Sequence, residues 1–214
     1  MRITISTILL ICIFNTGLFA QFEGRVVYKV SYETSEEEKK EMLSMLPEES
    51  VLTVKDHHSL FEQKVAGGGK QAFIIDAEDG SGVLVMQFLG QGYKVEMTQS
   101  EIETLKATQK MAFTETQETK EIAGFTCNKA IAVTSGDTLE VYYAKDIITT
   151  ATFPPFADID GLPLEYELVR GGVKMKYTAA SVIKASIRED EFEADPNLNS
   201  MKFEDFARSF AISE

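Results

Sequence analysis

The residues able to do chemistry are few and poorly grouped. His57 and His58 are the chain's two histidines. Adjacent residues on a strand point to opposite faces, so they cannot both grip one metal as i, i+2 or i, i+4 pairs do. A surface turn is the reading. Gly67-Gly68-Gly69-Lys70 has the outline of a phosphate loop, but Gln71 replaces the required Ser or Thr and Lys64 the first glycine. It reads as a hairpin turn. Asp158-Ile159-Asp160-Gly161 suggests a calcium loop, yet the glycine follows the second acid directly and the ligand spacing fails. No Gly-x-Ser-x-Gly elbow is present, and the carboxylates are scattered without a glycosidase pair. Cys127 has no histidine near it in sequence. It shares a parity with Phe125 and Ile131, the pattern of a buried, inert thiol. These residues predict no catalytic group, no metal and no cofactor.

The elements that would position such residues are strands. Val26, Tyr28, Val30 and Tyr32 alternate with more polar neighbours, and the same period of two recurs to Ile187. Turn clusters such as Gly67-Gly68-Gly69, Asp79-Gly80-Ser81-Gly82 and Gly90-Gln91-Gly92 recur about every ten residues, the rhythm of an antiparallel meander. The spacing predicts about eleven strands. Ser35 and Glu38 form a capping-box pattern before Met42, Leu43 and Leu46, so a short helix is predicted between the first two strands. Ser100 to Lys110 is compatible with another. Met201 to Ile212 reads as an amphipathic helix with Phe203, Phe206, Ala207 and Phe210 on one side. Phe73 to Ile75 and Val83 to Met86 are apolar on both parities, so both faces of these strands must be covered.

The 214 residues carry 34 acidic and 21 basic side chains, a formal charge of -13. That balance opposes binding to a phosphate backbone or to anionic lipid heads. Residues 1–20 have the layout of a secretory signal peptide: Arg2, an apolar run, and a small residue at Ala20. Cleavage is expected between Ala20 and Gln21, which removes one cation and leaves -14 from -13. No later run is long and apolar enough to span a bilayer. The mature chain keeps one thiol, so no internal disulfide forms; a chain of this size buries roughly 70% of its unfolded surface without one. The domain reading is a signal peptide at 1–20, a β domain at 21–188, and an acidic linker with a terminal helix at 189–214.

Three blocks carry a family resemblance. They are Ile122-Ala123-Gly124-Phe125-Thr126-Cys127-Asn128-Lys129-Ala130, then Glu140-Val141-Tyr142-Tyr143-Ala144 with Ile147, then Gly161-Leu162-Pro163-Leu164-Glu165. Together they resemble the GLPGLI family and its sister domains, secreted proteins of two-membrane bacteria. Leu164 replaces that family's second glycine, so the resemblance is to the broader set. It implies a fold like the periplasmic lipoprotein carriers: mainly β (α+β), a strongly curved antiparallel sheet forming an unclosed barrel, with one to three short helices covering the hollow. It supplies no catalytic residues. Locally, Gly124 and Gly161 read as turn residues, Pro163 as a strand start and Cys127 as core.

The function expected from this is an exported, periplasmic or secreted, non-enzymatic carrier holding a lipid or other apolar molecule. The cavity-lining candidates are Phe73, Ile75, Val83, Val85 and Phe88, taken to face inward. The alternative is an interaction module of an outer-membrane assembly with no small ligand. A hydrolase ranks third.

Overall fold

Strand alternation organises the molecule. In the computed structural model, residues 21–65, 67–88, 90–109, 111–133, 138–149, 155–156 and 158–209 are described. Signal cleavage after Ala20 falls at the edge of that range, and Phe210 lies outside it. Among the described residues twelve strands form one open sheet. They are β1 (Gly24–Glu33), β2 (Glu49–Lys55), β3 (His58–Val65), β4 (Gly69–Asp76), β5 (Gly82–Phe88), β6 (Gln91–Met97), β7 (Phe113–Ile122), β8 (Phe125–Val133), β9 (Thr138–Ala144), β10 (Leu162–Arg170), β11 (Val173–Lys184) and β12 (Asn199–Met201). Among the described residues three α-helices accompany them, α1 (Glu37–Leu43), α2 (Gln99–Gln109) and α3 (Phe203–Ser209), with a short 3-10 helix at Glu189–Phe192. The order is β12-β6-β5-β4-β3-β2-β1-β11-β10-β9-β8-β7, so two meanders meet where β1 pairs with β11. Every neighbouring pair is antiparallel except β12 with β6. The architecture is the predicted mainly β, unclosed curved sheet. Its twelfth strand is the three-residue β12, which no alternation announces.

Register makes one face continuous. Val26 lies opposite Leu52, Leu52 opposite Phe61, Phe61 opposite Phe73, Phe73 opposite Leu84, and Leu84 opposite Val95. On the other side of β1, Val30 faces Tyr177, Tyr177 faces Tyr166, and Tyr166 faces Val141. These rows form the inner face. The sheet curls around it until β7 returns to contact β11. Tyr166 stacks on Tyr177 at 4.7 Å and meets the edge of Tyr28 at 5.7 Å. Such pairs contribute about 0.5–1.5 kcal/mol beyond their buried area. The Tyr28 hydroxyl donates to the Pro163 carbonyl at 2.7 Å, which satisfies it inside the core.

Both faces of β4 and β5 are covered, as their double apolarity requires. On the inner face, Ile102 and Leu105 of α2 and Phe203 and Phe206 of α3 pack with Phe73, Leu84, Met86 and Val95. On the outer face, the chain leaving β11 crosses back as a strap. Its Ile187, Phe192 and Leu198 cover Leu60, Ala72, Ile74, Val83 and Val85. Lys55 anchors the strap at the Ile187 carbonyl (2.9 Å) and the Glu189 carboxylate (2.6 Å), and Arg25 pairs with Glu191. Residues 189–209 thus pack onto the same sheet.

Two helix starts differ from the sequence pattern. α1 begins at Glu37 with Glu36 as N-cap and no side-chain cap, so the Ser35–Glu38 box does not form. Nothing in α1 is buried, and none of its side chains belongs to the sheet's apolar clusters. The box that forms belongs to α2. The Thr98 backbone N–H donates to the Glu101 carboxylate at 2.8 Å, and the Glu101 N–H donates to the Thr98 hydroxyl at 3.4 Å. Thr98-Gln99-Ser100-Glu101 was the legible signal.

Candidate functional site

The cavity-lining candidates fall on two faces. Phe73 lies opposite Leu84, and Ile74 opposite Val83, across the β4–β5 hairpin. Phe73 and Ile75 therefore point to the inner face, while Val83 and Val85 point outward beneath the strap. Parity in sequence number does not carry across a turn, so these residues do not line one hollow. The inner face beside them is occupied by Ile102, Leu105, Phe203 and Phe206. Phe88 shares the inner parity but sits at the strand's end, past those helices, with 55% of its surface exposed.

Phe88 borders an open cleft of about 580 Å³ between the β5–β6 connection, the β3–β4 turn and the strap. Gln87, Gln91, Tyr93, Asn197 and Asn199 line it with Phe88. Glycine lets the walls close up. A Cβ on Gly69 would come 3.3 Å from the Phe88 ring, and one on Gly92 would come 2.3 Å from Leu198. The strap wall is held by an Asx turn, in which Asp195 Oδ1 accepts from the Asn197 backbone and side-chain amides, each at 2.9 Å. The Asn199 amide donates to the Gly92 carbonyl at 3.4 Å. An exposed aromatic ring among amide donors and acceptors suits a polar ligand with one apolar flank. A second open cleft, about 610 Å³, lies on the outer face and is edged by Arg25, Glu48, Glu62, Lys64 and Glu191.

Gly124, Gly161, Pro163 and Cys127, expected to be structural, sit in a turn, before and at the start of a strand, and in the core. Ala123 and Gly124 form the β7–β8 turn at φ +50 and +85. A Cβ on Gly161 would meet the Ala144 carbonyl oxygen at 2.5 Å, so the start of β10 requires glycine. Pro163 is the second residue of β10, where pairing with β11 has not begun. Its missing N–H costs no bond on that side. Cys127 is fully buried, and burial pushes its thiol up to about 11. The turn containing Gly67 and Gly68 joins β3 to β4, as its glycines predict.

His57 and His58 depart from the alternation argument. His57 sits in the β2–β3 turn and His58 at the first position of β3, so strand alternation does not separate them. Their rings lie 4.1 Å apart, both near Asp76.

A family model for the N-glycanase peptide, N-terminal domain, matches residues 26–204, from β1 into α3. The chain belongs to that family. The expected resemblance to the GLPGLI family is not what the match supports: the sheet is the mainly β one expected, but the family whose model matches is the N-glycanase N-terminal domain. PNGF-II, solved in C2 and P21 crystal forms, superposes with TM-scores of 0.56 and 0.57 at 17% and 18% identity. The alignments cover 87% and 88% of this chain. They cover 32% and 33% of PNGF-II, so this N-glycanase-family chain spans about a third of that protein's length. The likeness is one of fold. LprF from Mycobacterium bovis matches more distantly, with TM-score 0.33 and 12% identity over 78% of this chain and 88% of that one. No protein of curated function matches. Among the described residues no helix is long and apolar enough to cross a membrane.

Proposed function

We propose that this member of the N-glycanase N-terminal domain family is an exported, non-enzymatic accessory module that binds a glycan through the Phe88 cleft. The observation that carries the reading is the exposed Phe88 ring set among Gln87, Gln91, Tyr93 and Asn197 in a cleft of about 580 Å³. That volume lies within the usual range for small-molecule sites, roughly 300–1,000 Å³. A sugar presents hydroxyls to amides and a C–H face to an aromatic ring, and the cleft offers both. Membership in an N-glycanase-associated family supports the same ligand class. Export rests on the signal-peptide pattern of residues 1–20. The filling of the inner face by α2 and α3 favours this surface site over the apolar-cargo reading.

Isothermal titration with an N-linked glycopeptide, and with the same peptide lacking its glycan, tests the proposal. The expected result is saturable binding of the glycosylated form alone. Phe88→Ala should weaken it at least tenfold, about 1.4 kcal/mol, with an unchanged unfolding midpoint because the ring is mostly exposed. Equal binding of both peptides, or an unaffected Phe88→Ala variant, would show that the cleft does not read sugar. If gently purified protein instead carries a stoichiometric lipid, the apolar-carrier reading replaces it. A co-purified outer-membrane protein whose capture survives deglycosylation would favour the interaction-module alternative.

A further inference from the structure

We propose that His57, His58 and Asp76 form a binding site for a divalent transition cation of the zinc type. The three residues lie together at one end of the β3–β4 pair, His57 in the turn before β3, His58 at its start and Asp76 at the end of β4. β2 ends in the Asp56–His57 turn, where Asp56 takes φ +49. His58 opens β3 directly opposite Asp76, the last residue of β4. The turn thus carries the His57 ring back over the same carboxylate that His58 faces.

The separations are those of ligands sharing a centre. His58 Nε2 is 3.5 Å from Asp76 Oδ2, and His57 Nε2 is 3.8 Å from Asp76 Oδ1. One donor atom from each of the three residues lies within 4.8 Å of the others. The two nitrogen–oxygen distances exceed ordinary N–H···O bonds, which cluster near 2.9–3.0 Å. They approach the roughly 3.4 Å expected between ligands held by about 2.0–2.1 Å bonds in a tetrahedron. Glu78 Oε2 lies 3.4 Å from His57 Nε2, next to the fourth position, which water or this carboxylate can take.

Supporting groups hold the donors in place. The Glu78 backbone N–H donates to Asp76 Oδ1 at 2.8 Å, fixing the carboxylate in an Asx turn. The Ala77 N–H donates to the His57 carbonyl at 2.8 Å, tying the two turns together. His58 is stacked on Phe192 of the strap, with ring centroids 5.2 Å apart. Such outer contacts typically govern metal affinity 10–100-fold. The surrounding charge favours a cation. Asp79 and Glu189 are within electrostatic reach of both imidazoles, and the nearby cation Lys55 is paired with Glu189. The donors are only partly covered, so an ion has a path in.

Imidazole nitrogens beside carboxylate oxygen select zinc-type ions over magnesium or calcium, which prefer all-oxygen shells. A bound ion would clip the β2–β3 turn to the end of β4. The site is separate from the Phe88 cleft, so either proposal can fail alone.

The test is titration of tag-free, chelator-stripped protein with Zn²⁺ alone. One equivalent should bind and raise the unfolding midpoint. Asp76→Asn and His58→Gln should each weaken binding at least tenfold, while Phe88→Ala should leave it unchanged. Unfolding midpoints measured in chelator show whether each variant is folded. For the unaltered protein, X-ray absorption of the zinc complex should report two imidazole nitrogens. Absence of saturable binding, undiminished affinity in a folded His57→Gln/His58→Gln double variant, or a spectrum without imidazole would overturn the assignment.

Discussion

At the scale of single residues, the β7–β8 turn shows a local choice that is not optimal. Ala123 and Gly124 both take positive φ, the requirement of a two-residue type I′ loop. Asparagine suits the first position better, because left-handed backbone costs an ordinary L-residue roughly 1–2 kcal/mol. Ala123→Asn should therefore stabilise the protein by about 0.5–1 kcal/mol, seen as a higher urea midpoint with an unchanged m-value. A Cβ at Gly124 would meet nothing within 4 Å, so its backbone angle alone demands glycine. Ile122-Ala123-Gly124 was legible as a turn because a two-residue loop draws on few neighbours. Cys127 was legible as core from its parity. The His57–His58 pair was not, because its geometry depends on where the turn ends and the strand begins.

Elements differ in how far the sequence foretells their packing. α1 and α2 both follow strands and both hold Met, Leu or Ile at helical spacing. In α1 Met42 is 61% exposed, whereas Ile102 in α2 is 1% exposed. α2 lies against β5, where the bare Gly82 leaves 2.9 Å between a notional Cβ and Ile102 Cδ1. Ile102→Ala should cost about 2–5 kcal/mol, while Met42→Ala should change stability by less than about 0.5 kcal/mol. Paired chemical denaturation curves check the contrast. The double apolarity of β4 and β5 correctly demanded two covers. It could not name them, because α2 and α3 supply one and the strap the other from distant stretches of chain. The five lining candidates were split for the same reason: facing residues in a hairpin are set by pairing register.

For the whole molecule, the outer face of β7 to β11 carries a charge network beside the apolar strapped half. Glu165 is nearly buried and accepts from Lys120 at 2.9 Å, with Lys176 at 3.1 Å. Burial pushes its carboxyl up, but bonds from Lys120 and Lys176 outweigh that and hold it below the usual 4.5. Glu115 and Glu189 are lowered by bonds from Tyr143 and Lys55, respectively. A carboxyl lowered on folding adds stability above its unfolded pKa and loses it as pH falls through the folded value. Unfolding free energy should stay nearly level from about pH 7 to pH 5 and decline below about 4.5. Glu165→Gln should be less stable at neutral pH and decline less steeply in acid, as urea titrations across pH would show. A steeper acid decline in that variant would remove Glu165 from the explanation.

Alternation and turn chemistry alone determined that this chain is mainly β, that its strands run as an antiparallel meander, and that two strands are sheathed on both sides. Those properties follow from local sterics and the period of two, which neighbouring residues specify, whereas the curvature of the sheet was expected only from the family resemblance. Tertiary structure alone decided that β1 pairs with β11 at the centre, that the strap crosses the outer face, and that β12 joins an edge in parallel. It also gathered the Phe88 cleft from turns and strap, and the two histidines around Asp76. Each of these joins residues far apart in the chain, and their meeting is set by the long-range strand pairing and apolar packing of the whole open sheet, which no local stretch specifies.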